Sequence, residues 1–133
     1  MIKFGIVGCG RIAKRHSELL GNSVINGAQL VAVCDVKKDR ADGIAKEFNV
    51  NSYDDMDKMM TSEDIDVVVV LTPSGMHANH TINLAKYGKD IMVEKPMALT
   101  LDDADAMIKE CDKNNCRLFV IKQNRFNVPV VKL

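Results

Sequence analysis

The sequence has few of the features that place a chain in a special class. Lysine plus arginine number 18 and aspartate plus glutamate also 18, so the formal net charge is zero. That balance supplies no argument for nucleic acid or an anionic membrane as partner. No apolar run approaches the roughly 20 residues that a membrane-spanning helix needs. The start, Met1 to Gly8, has the look of a signal peptide, but its apolar run is short. Gly8, Cys9, Gly10 and Arg11 interrupt it at once, and a cytoplasmic chain is expected. The four cysteines form no evident framework. Cys9 lies in a glycine turn, Cys34 in an apolar strand pattern, and Cys111 and Cys116 late in a helical one. The last two lack the double-pair spacing of a zinc site and no histidine follows them. Reduced thiols and no bound metal are expected.

At 133 residues the chain is one domain by length, large enough for one hydrophobic core. Its periodicity alternates throughout. Short apolar runs predict strands at Ile2 to Val7, Ala28 to Asp35, Asn51 to Tyr53, Asp66 to Thr72, Asp90 to Glu94 and Arg117 to Lys122. Amphipathic stretches between them predict helices at Arg11 to Leu20, Lys38 to Phe48, around Asp54 to Met60, His77 to Tyr87 and Leu101 to Asn114. The run "DVVVVLT" is nearly all β-branched and must be buried on both faces. Strands of this kind alternating with helices predict an α/β chain: a doubly wound parallel sheet in the order 3-2-1-4-5-6, covered on both sides.

The stretch "GIVGCGRIAKRH" sets Gly8, Gly10 and Ala13 in the pattern G-x-G-x-x-A, after a strand and opening a helix. Gly8 permits the tight turn and Gly10 lets a pyrophosphate approach the backbone. Ala13 allows close helix-to-strand packing, and the helix N-terminus at Arg11 and Ile12 offers free N–H groups. The next strand ends in Asp35, about 20 residues past the motif, where a ribose-binding acid is expected. Asp35 could merely end a strand while the glycines make a turn, but position, context and acid together point to a dinucleotide. An acid at this point favours NAD, because it would repel a 2′-phosphate. Lys37 and Lys38 just beyond soften that preference, which leaves NADP as the second choice.

Ligands of an open parallel sheet bind outside the carboxyl ends of its strands. Three polar clusters stand at such ends: Thr72-Pro73-Ser74-Gly75-Met76-His77, Glu94-Lys95-Pro96 and Lys122-Gln123-Asn124-Arg125. Lys95 is thereby set where a nicotinamide and its substrate would meet. Its ammonium can hydrogen-bond a substrate hydroxyl and handle the proton as that hydroxyl reacts. Pro96 turns the chain sharply after it. The plainer alternative is a solvated lysine paired with Glu94.

These segments together ("GIVGCGRIAKRH", "TPSGMHANH" and "EKPMALT") resemble the amino-terminal half of the Gfo/Idh/MocA oxidoreductases, and the resemblance runs along essentially the whole chain. It implies a Rossmann-type domain over residues 1–122 and a nicotinamide cofactor. Lys95 is then the catalytic acid/base, and the Lys95–Pro96 peptide is cis. Thr72, Pro73 and His77 lie along the cofactor in such a protein, and Glu94 lies at its nicotinamide end. The ending "VIKQNRFNVPVVKL" is similar to the branch acting on UDP-linked amino sugars and their uronic acids. That similarity implies that Gln123 and Arg125 face cofactor or substrate.

Members of the family continue into a second α/β domain, with further substrate-binding residues and a D-x-x-x-H pair. The expectation is therefore a fragment: a cofactor domain with residues 123–133 starting the connection to an absent carboxy-terminal half. It would bind cofactor but turn over negligibly, and the parent's homo-oligomer, paired through that half, would be lost. Apolar surface near Phe119, Phe126 and Val130 would then be uncovered. The substrate class implied is a sugar, cyclitol or nucleotide sugar. His16 and His80 precede the lysine turn and fit helix surfaces or the phosphate side. A nicotinamide-binding regulator without catalysis, and a protein binding an S-adenosyl or ADP ligand on the same fold, remain open alternatives.

Overall fold

The computed structural model describes residues 1–121, so expectations placed on Lys122, Gln123, Arg125, Phe126 and Val130, and on the segment 123–133, lie outside the described residues. Six strands, β1 (Ile2–Val7), β2 (Ala28–Cys34), β3 (Asn51–Tyr53), β4 (Val67–Val70), β5 (Asp90–Glu94) and β6 (Leu118–Ile121), form one sheet in the order β3-β2-β1-β4-β5-β6. Every neighbouring pair is parallel, as the alternation of strands and helices predicts. Five helices connect them: α1 (Ala13–Gly21), α2 (Lys38–Phe48), α3 (Met56–Ser62), α4 (His77–Ala85) and α5 (Leu101–Lys113).

The pleat divides the core in two. Ile6, Val33 and Val69 point to one side and pack with Ala13 and Leu20 of α1 and Ala41 and Ala45 of α2. Their neighbours Val7, Cys34, Val68 and Val70 point to the other side, with Met59 of α3, Leu84 of α4 and Met107 of α5. Two-sided burial explains why the strands read as continuous rather than alternating apolar runs.

Several boundaries differ from the sequence reading, each for a local reason. The helix expected from Asp54 starts at Met56, because the Asp55 carboxylate caps it by accepting from the N–H groups of Asp57 and Lys58. The strand expected to run from Asp66 to Thr72 is confined to Val67–Val70. Asp66 lies outside it, its carboxylate accepting from the Lys3 N–H at 2.8 Å. Leu71 still donates its N–H to Val7, and the chain then leaves the sheet. A single 3-10 turn, Ser74–Met76, precedes α4, which ends at Ala85 where Tyr87 and Gly88 donate back to Leu84 and Ala85. All four cysteines are buried free thiols, and burial pushes those of Cys9 and Cys34 up to about 12.

Candidate functional site

The carboxyl ends of the strands open onto a cleft of about 830 Å³, bordered by the glycine loop, Asp35, the Thr72 turn, Glu94 and Lys95. That size lies within the usual range for small-molecule sites. Segments far apart in the chain meet here because each follows a parallel strand.

Gly8 has φ +102°, and a Cβ on it would lie 2.7 Å from the Leu71 carbonyl carbon and the Thr72 nitrogen. Only glycine allows the loop to pass this close to the neighbouring strand end. Gly10 differs. A Cβ there would meet nothing nearer than the Arg40 guanidinium, at 3.9 Å, so the space over it belongs to the cleft. Ala13 is fully buried against the sheet. No side chain caps the start of α1 and no acid occupies its first turn, unlike α3 and α5, which Asp55 and Thr100 cap. An open backbone and an uncapped helix start are what a pyrophosphate requires, so the loop fits a dinucleotide.

Asp35 stands one residue beyond β2 and braces the loop. Its Oδ2 accepts from the Cys9 N–H and its Oδ1 from the Lys37 N–H, each at 2.8 Å. A carboxylate retains further lone pairs for ribose hydroxyls. Of the two lysines beyond it, Lys37 borders the cleft. Lys38 is turned away, bound to Asp42 and Ser52.

At the other end of the cleft, His77 is almost fully buried at 1% exposure. Its Nδ1 lies 2.8 Å from the Pro96 carbonyl oxygen and its Nε2 lies 2.7 Å from that of Thr72. His77 thus ties the two turns together and borders the cleft from within. His80, one turn along α4, has Nδ1 2.9 Å from the Thr72 hydroxyl. Burial, and secondarily the nearby His77, lowers the His80 pKa, which keeps the ring neutral at pH 7.

Lys95 is exposed at the mouth of the cleft, and the Lys95–Pro96 peptide is cis. Among the described residues it makes no ion pair with Glu94. The Glu94 carboxylate instead lies 3.4 Å from His16 Nε2, with the Glu94 side chain only 10% exposed. His16 therefore lies at the sheet edge and not on the solvent face of α1.

Residues 2–122 match the model of the Gfo/Idh/MocA oxidoreductase family, NAD-binding Rossmann fold. The chain belongs to that family. The WlbA dehydrogenase of Bordetella pertussis, solved in complex with NADH and UDP-GlcNAcA, superposes with a TM-score of 0.92 at 35% identity, over 98% of this chain and 40% of that one. A myo-inositol 2-dehydrogenase of Thermotoga maritima is 33% identical over 99% of this chain and 39% of its own length. A scyllo-inositol 2-dehydrogenase (NAD(+)) of Bacillus subtilis is 35% identical over 79% of this chain and 31% of its own. The chain thus spans between 31% and 40% of the length of these Gfo/Idh/MocA relatives.

The cleft brings together Gly8, Gly10, Arg11, Ile12, Asp35, Thr72, Pro73, His77, Glu94 and Lys95 of the expected set, while Gln123 and Arg125 lie outside the described residues. Arg40 and the β3–α3 residues Asp54 and Met56 also border it and were not singled out by motif. Arg40 had no distinguishing signal, being one of several charged residues at the start of α2. Asp54 and Met56 could have been found, because they follow a strand on the same edge of the sheet.

Proposed function

We propose that this chain is the cofactor-binding part of a nicotinamide-dependent dehydrogenase, acting on a secondary alcohol of a sugar, cyclitol or nucleotide sugar. The observation that carries the proposal is the meeting of an open glycine loop and an exposed lysine in one cleft. Gly8 and Gly10 shape the loop, and the N–H groups at Arg11 and Ile12 receive the pyrophosphate. Asp35 accepts from ribose hydroxyls, and the Thr72–Pro73 turn and Glu94 flank the nicotinamide end. A bound nicotinamide supplies hydride acceptance or donation.

Lys95 performs the proton work in this reading. Its amine hydrogen-bonds the substrate hydroxyl, takes that proton as the alcohol becomes a carbonyl, and returns it in the reverse direction. His77 and Pro96 fix the turn that carries it. Residues 1–122 then constitute the cofactor domain, and residues 123–133 begin the connection to a substrate-binding domain, with Gln123 and Arg125 facing cofactor or substrate. The nucleotide-sugar and inositol substrates of the relatives define the compounds to assay first. Because relatives are more than twice as long, this chain alone is expected to bind cofactor with negligible turnover.

NAD(H) is the preferred cofactor, since Asp35 accepts ribose hydroxyls and repels a 2′-phosphate, while Lys38 is engaged elsewhere. Calorimetric titration of the chain tests both parts. The expected result is saturable NADH binding, with NADPH weaker. Absence of NADH binding would overturn the proposal, and NADPH binding as tight as NADH would mean that Lys37 or Arg40 outweighs the acid.

A further inference from the structure

We propose that Asp42 and Ser52 set the cofactor preference from outside the cleft, by withholding the Lys38 amine from a 2′-phosphate. The inference deepens the reading of the cleft as a dinucleotide site with Asp35 at the adenosine ribose, and it rests on that reading. It also explains how one acid can guard a basic neighbourhood. Just beyond Asp35 stand Lys37, Lys38 and Arg40, at a helix start whose backbone itself favours anions. Asp35 and Asp39 are two acids against these three cations, so repulsion from Asp35 is a weak barrier to NADPH unless a cation is taken out of play.

Lys38 is that cation. Its Nζ donates to Asp42 Oδ1 at 2.5 Å and to Ser52 Oγ at 3.0 Å, and Ser52 Oγ donates to the same Asp42 oxygen at 2.6 Å. The three contacts close a triangle across two elements. Asp42 lies one turn along α2 from Lys38, and Ser52 lies in the middle of β3, in register with Val33 of β2. An exposed i,i+4 ion pair alone holds an amine weakly. The strand hydroxyl adds a second acceptor on a fixed backbone, which gives the lysine a direction as well as a partner. The bond from Lys38, and secondarily that from Ser52, holds the Asp42 carboxyl below the usual carboxylate range, so the anchor stays ionised at neutral pH. Residues on both sides of the triangle border the cleft, Lys37 and Arg40 from the start of α2 and Asp54 from beyond β3, whereas Lys38, Asp42 and Ser52 do not. A lysine released from the triangle therefore stands between two walls of the cleft, next in sequence to Lys37 and three residues past Asp35.

The test is titration of the 133-residue chain with NADPH and NADH, followed by their fluorescence. It is run at about 0.15 M salt, where a Debye length of about 8 Å limits the effect of distant charge. Asp42→Ala should tighten NADPH binding by about threefold or more while leaving NADH within about twofold of wild type. Ser52→Ala, which keeps the ion pair, should shift NADPH the same way by less. Asp42→Asn, which keeps the shape but loses the charge, covers a failure of the alanine variant to fold and should also tighten NADPH. In a Lys38→Met background the gain from Asp42→Ala should fall to less than about half, because the lysine that carries it is gone. Unchanged NADPH affinity in Asp42→Ala and Asp42→Asn would overturn the proposal. So would an equal gain in the Lys38→Met background, the pattern of a lost negative field rather than a released amine, or an equal gain for NADH. A wild-type chain that binds no NADH would defeat the dinucleotide reading itself, and the proposal with it. NADH binding without the NADPH gain would defeat the proposal alone.

Discussion

At the residue scale, two glycines two positions apart do different things. A methyl on Gly8 would meet the backbone of Leu71 and Thr72 at 2.7 Å and would sit at a left-handed φ. Gly8→Ala should therefore cost about 1–3 kcal/mol in urea unfolding. Gly10→Ala has open space, so its stability should stay within about 0.5 kcal/mol of wild type. Its NADH affinity should nevertheless fall about tenfold or more, because the methyl occupies the pyrophosphate's path. Wild-type NADH affinity in Gly10→Ala would show that the phosphates do not pass there. Both glycines were legible in the sequence, since spacing and flanking strand identify them. Asp35 was legible as an acid at a strand end, but not as the brace of the loop. Its bond to the Cys9 N–H joins residues 26 positions apart.

At the scale of elements, strand order and helix placement followed from apolar runs broken by glycine and polar turns, because two-sided burial leaves so plain a pattern. Element ends were less legible, since caps and turn bonds such as those of Asp55 and Gly88 depend on backbone geometry. Least legible was the contact of α1 with the end of β5. It requires the pleat phase of one element and the rotation of another, which no local pattern encodes. Helix α4 carries a pH prediction. The folded His80 ring is a weaker base than the unfolded one, so as pH falls through about 6.5 the unfolded chain takes up the proton first. Stability present above that pH is lost as pH falls toward the folded value. Asp57, lowered by Tyr87 and Lys86, and Asp90, lowered by Arg117, follow the same sign, but act only near and below the ordinary carboxylate range. The melting temperature should be level from pH 8 to 7 and decline between pH 6.5 and 5. That decline should flatten in His80→Gln, and an identical decline in the variant would remove His80 as its source.

At the scale of the whole molecule, β6 is an outer strand whose Phe119 is 46% exposed, with the Arg117 guanidinium 5.8 Å from its ring. An exposed aromatic on an edge strand is a surface suited to cover by further protein. We expect the chain on its own to form no defined assembly. Light scattering should show a monomer or ill-defined association, and a discrete oligomer of fixed size would contradict this. In the proposed reaction the glycine loop and Lys95 form one site, the first to hold the cofactor and the second to move the proton. The most direct test pairs two measurements on Lys95→Ala in a protein that joins this domain to a substrate domain: kcat on nucleotide-sugar and inositol substrates, and NAD affinity by fluorescence. The kcat should fall by about 10²–10⁴ with NAD affinity nearly unchanged, and Lys95→Arg should be almost as slow, because a guanidinium stays protonated. Near-normal turnover in Lys95→Ala would contradict it.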